Sequence, residues 1–297
     1  MTAHALVFVA SPENKPAYRE ALLMLGRVAL NRKLPPPEVL SGWESAQWIY
    51  ERVDSELRQE AAAAVAEMPV DWALTPVEGR RKKLLVADMD STIINVECLD
   101  ELADFAGLKA EIAAITERAM RGELEFEPAL IERVSKLKGL ALSALQRTYC
   151  ERVRLNPGAA TFVKTMAKHG ARCVLVSGGF TFFTSRVAND AGFHADRANV
   201  LLDDGAMLTG EVQMPILGRA AKLDALRAEA ASIGATEQDA LAIGDGANDL
   251  DMIKAAGLGL AYRAKPLVAA EADAKIDHMS LEAALFFQGY RREEFAA

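Results

Sequence analysis

The chain has 297 residues, and its 51% hydrophobic and 26% charged content is ordinary for a globular protein, which argues against a disordered or fibrous one. This length allows two domains, or one domain with an inserted cap. A net charge of −8 argues against nucleic acid as a partner, because binding a phosphate backbone requires a basic surface.

Signals for a membrane, an export route or a disulfide framework are missing from the sequence. No run approaches the ~18 apolar residues of a membrane span, and residues 1–4 lack the basic stretch of a secretory signal. We therefore expect a cytoplasmic protein with no membrane partner. Cys98, Cys150 and Cys173 are widely spaced, which favours buried free thiols, and the four histidines form no cluster. Any bound metal is expected to have oxygen ligands.

The first 78 residues alternate between strand and helix patterns. Strands are predicted over 4–10, 46–52 and 70–77, and helices over 12–30 and 54–67, where Asp54 could cap the second helix. This order suggests a small α+β domain over residues 1–78, ferredoxin-like and similar to a degenerate ACT module, with one strand unplaced. It contains no ligand motif, so packing or dimerisation is favoured no less than amino-acid sensing.

Residues 79–297 are predicted to form a Rossmann-like α/β core around a parallel sheet. The apolar run 84–87 is too short for an ordinary helix and therefore predicts a buried strand. A helical pattern over 97–152, broken by glycines and without a convincing strand, predicts a helical cap inserted into the core. The core then resumes, with the following predicted elements: helices at 159–169, 180–190, 219–232, 249–256, 266–272 and 281–288, strands at 172–176, 240–243 and 258–261, and a hairpin over 199–213.

Two of the predicted strands end in acidic loops. Asp88 and Asp90 follow the strand at 84–87, and Asp245 and Asp249 follow the strand at 240–243. Ligands of open α/β sheets bind outside the carboxyl ends of the strands. Although an isolated pair of aspartates usually faces solvent, two such loops at one edge form an oxygen-rich site suited to a hard cation such as Mg²⁺.

Two further motifs complete a recognisable order. Ser177-Gly178 follows the strand at 172–176, and Lys222 lies near the start of a later helix. With the acidic loops, they make residues 80–290 resemble the haloacid dehalogenase superfamily of phosphotransferases. Within it, Asp-Met-Asp-Ser-Thr at 88–92 and Val-Ser-Gly-Gly-Phe at 176–180 look like the phosphoserine phosphatases. The segment before residue 80 is only loosely similar to N-terminal modules of bacterial members.

The resemblance implies chemistry through an aspartyl-phosphate intermediate. Asp88 would be the nucleophile, and Asp90 would first protonate the leaving oxygen and then activate water. Mg²⁺ would be bound by the Asp88 carboxylate, the Asp90 main-chain carbonyl and the Asp245 carboxylate, with Asp249 supporting them from behind. Taken singly, Asp90 could instead be a metal carboxylate, Asp245 a turn residue and Asp249 a helix cap.

The same resemblance implies a phosphate site in the core. The Ser177 hydroxyl and the Gly178 amide would bind phosphate at a helix N-terminus, Lys222 would balance its charge, and Asn248 would lie nearby. An ordinary Ser-Gly turn and a solvated lysine are the alternatives.

Substrate selection is expected in the cap. Glu97 would receive an ammonium group, Arg133 would bind a carboxylate in bidentate fashion, and Met120 and Phe126 would form an apolar lid. Pro128 could start a helix and leave Phe126 in the preceding loop. Core packing for Met120 and Phe126 and a surface salt bridge for Arg133 are the alternatives.

The activity implied by the resemblance is Mg²⁺-dependent hydrolysis of O-phospho-L-serine to serine and phosphate, the last step of serine synthesis. The alternatives are hydrolysis of another small phosphomonoester, such as phosphohomoserine or a phosphorylated amino alcohol, and an isomerising phosphomutase. A non-catalytic amino-acid-binding regulator is a third class, which the intact Asp88 and Asp90 pair disfavours. A homodimer through the N-terminal domain is a further expectation.

Overall fold

The computed structural model describes residues 3–53, 55–120 and 123–297. Asp54, expected as a helix cap, lies outside the described residues, as does the side chain of Met120. None of the helices in the described ranges is both long and apolar enough to cross a membrane.

The N-terminal part of the chain is an antiparallel sheet with two helices on one face. Its elements are β1 (His4–Ala10), α1 (Lys15–Asn31), β2 (Glu38–Ser41), β3 (Ser45–Tyr50), α2 (Ser55–Val65) and β4 (Val70–Pro76). The strand order β2-β3-β1-β4 and the succession βαββαβ confirm the ferredoxin-like expectation. The strand that the sequence left unplaced is β2, at the edge of the sheet. The boundary between residues 78 and 79 stays a prediction.

A six-stranded parallel sheet forms the core of the remaining chain. Its strands are β5 (Leu84–Ala87), β6 (Arg172–Phe180), β7 (Ala195–Asn199), β10 (Ala240–Gly244), β11 (Leu258–Tyr262) and β12 (Ala274–Ile276). The order β12-β11-β10-β5-β6-β7 places β5 between β10 and β6. The loops that follow these three strands therefore meet at one edge, as the sequence predicted.

The remaining elements are helices around the sheet and a short hairpin. The helices are α7 (Ala159–Lys168), α8 (Thr181–Ala191), α9 (Arg219–Ser232), α10 (Leu250–Ala255), α11 (Pro266–Glu271) and α12 (Ala283–Phe287). The hairpin strands are β8 (Leu201–Asp203) and β9 (Leu208–Val212). The predictions missed β7 and β12: β7 carries polar residues at a sheet edge, and β12 has only three residues.

Four helices inserted between β5 and α7 confirm the predicted cap. They are α3 (Cys98–Phe105), α4 (Lys109–Met120), α5 (Phe126–Ser135) and α6 (Leu142–Arg152). The cap is bonded to the hairpin, because Gly139 N donates to Leu208 O at 2.8 Å and Leu208 N donates to Leu140 O at 2.9 Å. All three cysteines are unpaired as expected, but Cys150 is exposed on α6, so burial of all three was a wrong prediction.

The second face of the N-terminal sheet packs against the core. Ala5, Val7 and Val9 of β1 belong to the same buried apolar cluster as Phe286 and Phe287 of α12. Asp71 of β4 reinforces this contact. Its buried carboxylate accepts main-chain N–H bonds from residue 277 at 3.0 Å, residue 278 at 3.1 Å and residue 279 at 2.8 Å.

We expect Asp71→Ala to lower the free energy of unfolding by about 2–4 kcal/mol, because three buried N–H groups lose their acceptor. Denaturant unfolding followed by tryptophan fluorescence measures this. Asp204→Ala is the control, since Asp204 accepts N–H bonds from Ala206 and Met207 in an exposed turn. Equal losses in the two variants would contradict the structural role of Asp71.

Candidate active site

The acidic loops meet because β5 and β10 are adjacent parallel strands. Asp88 follows β5, and its N–H donates to the carbonyl of Ile243 at 3.0 Å. Asp249 folds back over the end of β10, where its carboxylate accepts the N–H groups of Asp245 at 3.2 Å and Gly246 at 3.0 Å. A Cβ at Gly244 would lie 2.4 Å from Asp249 Cγ. Only glycine therefore leaves room for this carboxylate.

The buried ammonium of Lys222 lies between two of these carboxylates. Its Nζ donates to Asp88 Oδ1 and Asp249 Oδ1, both at 2.5 Å. One carboxylate oxygen each from Asp88, Asp245 and Asp249 lies within 4.8 Å of the other two. Three carboxylates around one ammonium leave an excess of negative charge, and oxygen ligands of this kind fit a hard divalent cation.

The pKa values of this cluster follow from burial and mutual repulsion. Burial and the Asp249 charge raise the pKa of Asp88 well above its usual value. Burial, then Asp249 and Glu97, raise the pKa of Asp245 to about 6. Burial alone would lower the pKa of Lys222, but the Asp249 and Asp88 carboxylates outweigh it and raise that pKa. A second positive charge would relieve the repulsion among the carboxylates.

The Asp90 side chain points to a different part of the site. Its Oδ1 accepts the N–H of Cys98 at 2.9 Å, and its Oδ2 accepts the Ser177 hydroxyl at 3.2 Å. Burial, then the Glu97 charge, raise the pKa of Asp90 to about 7. Such a carboxyl group can both give and take a proton near neutral pH. A Cβ at Gly179 would lie 2.9 Å from Asp90 Oδ2, so that position also requires glycine.

The C-terminal end of β6, residues 177–180, lies beside Asp90 and beneath the cap. Ser177 Oγ accepts the N–H of Gly179 at 2.8 Å, just before α8 begins at Thr181. A Cβ at Gly178 would lie 3.0 Å from Phe126 Cζ. Phe126 is the first residue of α5, so the alternative that places it in the preceding loop is wrong.

The charged cap residues also lie at this edge. Glu97 accepts the hydroxyl of Ser91 at 2.6 Å, beside the first acidic loop. Arg133 lies on α5, where its Nε donates to Ala129 O at 3.2 Å. Burial lowers the pKa of Arg133, and the charges of Asp100 and Glu97 oppose that shift. The Arg133 guanidinium and the Glu97 carboxylate are thus close enough to interact electrostatically.

Asn248 lies in the second acidic loop. A Cβ at Gly246 would lie 2.3 Å from Asn248 Oδ1, so the amide is packed against the loop backbone. Contacts among the predicted site residues join Asp88, Lys222 and Asp249, and separately Asp90 and Ser177, whereas the roles of Asn248 and Arg133 stay predictions. The side chain of Met120 lies outside the described part.

A sequence profile described as "haloacid dehalogenase-like hydrolase" matches residues 85–254. A phosphoserine phosphatase from Polaromonas sp. is 46% identical over 205 residues, which are 67% of this chain and 87% of that protein. The chain belongs to the haloacid dehalogenase-like hydrolases. The family and the phosphoserine phosphatase relatives together indicate a phosphatase, and the aspartate cluster matches the metal dependence that is general among such phosphatases.

Solved structures of haloacid dehalogenase-like hydrolases have the same architecture. A family member from Salmonella enterica serovar Typhi aligns with a TM-score of 0.84 and 26% identity, covering 97% of this chain and 98% of that one. A structure described as a phospho-aspartyl intermediate analogue of phosphoserine phosphatase aligns with a TM-score of 0.65 and 37% identity. It covers 69% of this chain and 98% of that chain.

Three polar residues that sequence reasoning did not single out support the hydrolase site. Thr92 donates its hydroxyl to Asp245 Oδ1 at 3.2 Å. Asn156 donates to the carbonyls of residue 92 at 2.8 Å and residue 94 at 2.9 Å, where the cap joins the core. Asn199 donates to Gly178 O at 2.9 Å. Thr92 belongs to the recognised motif, whereas the two asparagines follow no pattern that periodicity would reveal.

We expect a divalent cation to stabilise this hydrolase, because it binds the clustered carboxylates only in the folded state. At a cation concentration of about 100 times the Kd, the gain is about 2.7 kcal/mol. Calorimetry of the chelator-treated protein, with and without Mg²⁺, measures the gain, and Asp245→Asn should remove most of it.

The matched control is Asp251→Asn, because Asp251 is an exposed partner of Arg219 on the neighbouring helix. An equal cation-dependent rise in the unfolding temperature of wild type and Asp245→Asn would contradict the site.

Proposed function

We propose that the chain is a Mg²⁺-dependent phosphoserine phosphatase that hydrolyses O-phospho-L-serine to L-serine and phosphate. The observation that carries the proposal is that two aspartates of one loop contact different parts of the site. Asp88 contacts Lys222 in the cation cluster, whereas Asp90 contacts Ser177 under the cap. The 46% identical relative from Polaromonas sp. is a phosphoserine phosphatase.

The first step transfers the phosphoryl group to the enzyme. An Asp88 carboxylate oxygen attacks phosphorus, the bond between phosphorus and the serine oxygen breaks, and Asp90 gives its proton to that oxygen. Lys222 keeps one oxygen of Asp88 oriented and offsets the charge of the incoming phosphate. The related structure described as a phospho-aspartyl intermediate analogue supports this route.

The second step releases phosphate. Asp90, now a carboxylate, takes a proton from water as the water oxygen attacks phosphorus, and the bond to Asp88 breaks. The Asp88 and Asp245 carboxylates and the Asp90 main-chain carbonyl would hold Mg²⁺, whose positive charge would offset the repulsion between the nucleophile and the phosphate. Asp249 orients this set from behind, since its oxygens are engaged by Lys222, Asp245 N and Gly246 N.

The remaining proposed roles concern phosphate and the amino-acid part of the substrate. Ser177, Gly178 and Asn248 bind the phosphate. In the cap, Arg133 binds the substrate carboxylate and Glu97 its ammonium, a pairing supported by their electrostatic proximity. Phe126 forms the apolar lid, and Met120, whose side chain lies outside the described part, is assigned to it only by the resemblance. A cytoplasmic location and a place as the last step of serine synthesis belong to the same proposal.

The proposal includes a homodimer formed through the N-terminal sheet. Its strand β2 pairs only with β3 among the described strands, and the contacts on β2 from outside the sheet include those of Arg291 with Glu38 and with the carbonyl of Val39. Val39, Trp43 and Ile49 are exposed on and beside this strand. An edge strand with exposed apolar side chains favours pairing with a second copy.

We expect Asp88→Asn to lower kcat for O-phospho-L-serine on the order of 10⁴-fold or more, because the nucleophile is lost. The assay measures phosphate release with Mg²⁺ or with chelator, from L- and D-phosphoserine, phosphothreonine, phosphohomoserine, phosphoethanolamine and a sugar phosphate. Preference for phosphoserine that requires Mg²⁺ supports the proposal. Equal turnover of all the compounds would reject the substrate assignment, and transfer of phosphate between sugar positions without release would indicate a mutase.

We expect Arg133→Ala to lower kcat/KM for O-phospho-L-serine by about 10–100-fold, the effect of losing a charge-assisted pair. Turnover of phosphoethanolamine, which has no carboxylate, should not change. Arg147→Ala is the control, because this cap arginine is exposed and pairs with Glu151 on its own helix. An equal loss of kcat/KM for both substrates would show that Arg133 does not bind the substrate carboxylate.

We expect Val39→Lys to convert the dimer to a monomer, since a charge at the edge strand opposes sheet pairing. Light scattering coupled to size exclusion measures the mass. Leu267→Lys, at an exposed apolar residue of α11 away from the sheet, should leave the dimer intact. A wild-type protein that is monomeric at all concentrations would reject this part of the proposal.

A further inference from the structure

A buried asparagine at the end of β7 forms hydrogen bonds with two segments of the candidate site. Asn199 is only 3% exposed. Its Nδ2 donates to Gly178 O at 2.9 Å and to Leu217 O at 3.3 Å, and its Oδ1 accepts the N–H of Leu217 at 2.6 Å. One side chain therefore connects the C-terminal end of β6 to the segment that leads into α9 and Lys222.

Each of these two segments contains a glycine that lies beneath Phe126 of the cap. A Cβ at Gly178 would lie 3.0 Å from Phe126 Cζ, and a Cβ at Gly218 would lie 3.4 Å from Phe126 Cδ1. The aromatic ring thus rests on the main chain of two segments that are far apart in sequence. We name Gly178 and Gly218 together the glycine platform.

Asn199 is the side chain that holds the two parts of the platform together. Its amide group bonds to the carbonyl of Gly178 and, one residue before Gly218, to both polar main-chain atoms of Leu217. A carboxamide supplies the donor and the acceptor that these atoms require. Alanine would leave them without a partner, and aspartate would place a carboxylate oxygen against two carbonyls.

We propose that Asn199 is a positioning residue that sets the spacing of Gly178 and Gly218, and thereby the position of the Phe126 ring over the reacting phosphate. The inference deepens the proposed function and rests on it for the substrate. Asn199 itself contacts neither substrate nor cation, because its three hydrogen bonds end on main-chain atoms. Its effect on turnover therefore passes through the platform and the cap residue that rests there.

A double-mutant cycle of Asn199→Ala and Phe126→Ala tests this route. We expect Asn199→Ala alone to lower kcat/KM for O-phospho-L-serine at least about tenfold, because small displacements in an active site are costly. In the Phe126→Ala background the same change should cost less than about threefold, since residues that act together are not additive. An equal loss in both backgrounds would overturn the proposal, as would unchanged kinetics with a lowered unfolding temperature.

Two further variants guard against a trivial loss of folding. Asn199→Ser adds no charge and keeps a hydroxyl that can both donate and accept a hydrogen bond, and the cycle is run with it should Asn199→Ala not fold. Asn14→Ala is the control, because Asn14 caps α1 through Ala17 N far from the site. It should leave kcat/KM within about twofold of wild type.

A readout that does not depend on turnover separates this inference from the proposed function. Hydrogen exchange should quicken in Asn199→Ala at residues 177–180, 216–219 and 126–130, and unchanged exchange there would overturn the inference. The cycle is also run with para-nitrophenyl phosphate. Turnover of this ester without turnover of phosphoserine would reject the proposed substrate. The coupling between Asn199 and Phe126 would then be measured from the kcat/KM values for the ester.

Discussion

The buried ion cluster around Lys222 is the interaction on which the site depends. A lysine that is 1% exposed must have close anionic partners, because an unpaired buried charge is strongly unfavourable. Lys222 has two, Asp88 and Asp249, on loops that follow different strands. A carboxylate oxygen of Asp245 lies within 4.8 Å of one from each of these two aspartates. The cluster therefore brings together the loops after β5 and β10 and the start of α9. The same cluster remains short of positive charge, which accounts for its suitability for a divalent cation.

The cap meets the core through an aromatic side chain that lies against the main chain of two glycines. Phe126 rests on Gly178 and Gly218, and the loop before α6 is bonded to the hairpin strand β9. The glycine at residue 178 lets the aromatic ring approach the backbone closely, because a Cβ there would lie only 3.0 Å from the ring. On the opposite side of the core, the N-terminal sheet buries one face against α12 and β12 through Asp71 and apolar residues of β1. This sheet is therefore part of the packing of the molecule.

The parts of the site that were predictable have strong local signals. Asp88 and Asp245 each follow an apolar run, and this pattern predicts a short buried strand that ends in an acidic loop. Asn199 was not predictable in this way. It ends β7, whose Asp196 and Arg197 resemble loop residues but bond to Thr184 and Glu229 in the fold. The strand β2, which follows three prolines, and β12 have only four and three residues, too few for a clear alternating pattern. The position of Phe126 depends on two glycines about 50 and 90 residues further along the chain, which no local pattern connects.

The central claim of this account is that Asp88 becomes covalently phosphorylated during turnover of phosphoserine. Rapid acid quenching of the enzyme with O-phospho-L-serine and Mg²⁺, followed by peptide mass spectrometry, tests it directly. The account predicts one phosphoryl group on the peptide that contains Asp88, located on that residue, and none when the substrate is omitted. Phosphate release with no phosphorylated peptide, or with the phosphoryl group on another residue, would contradict it.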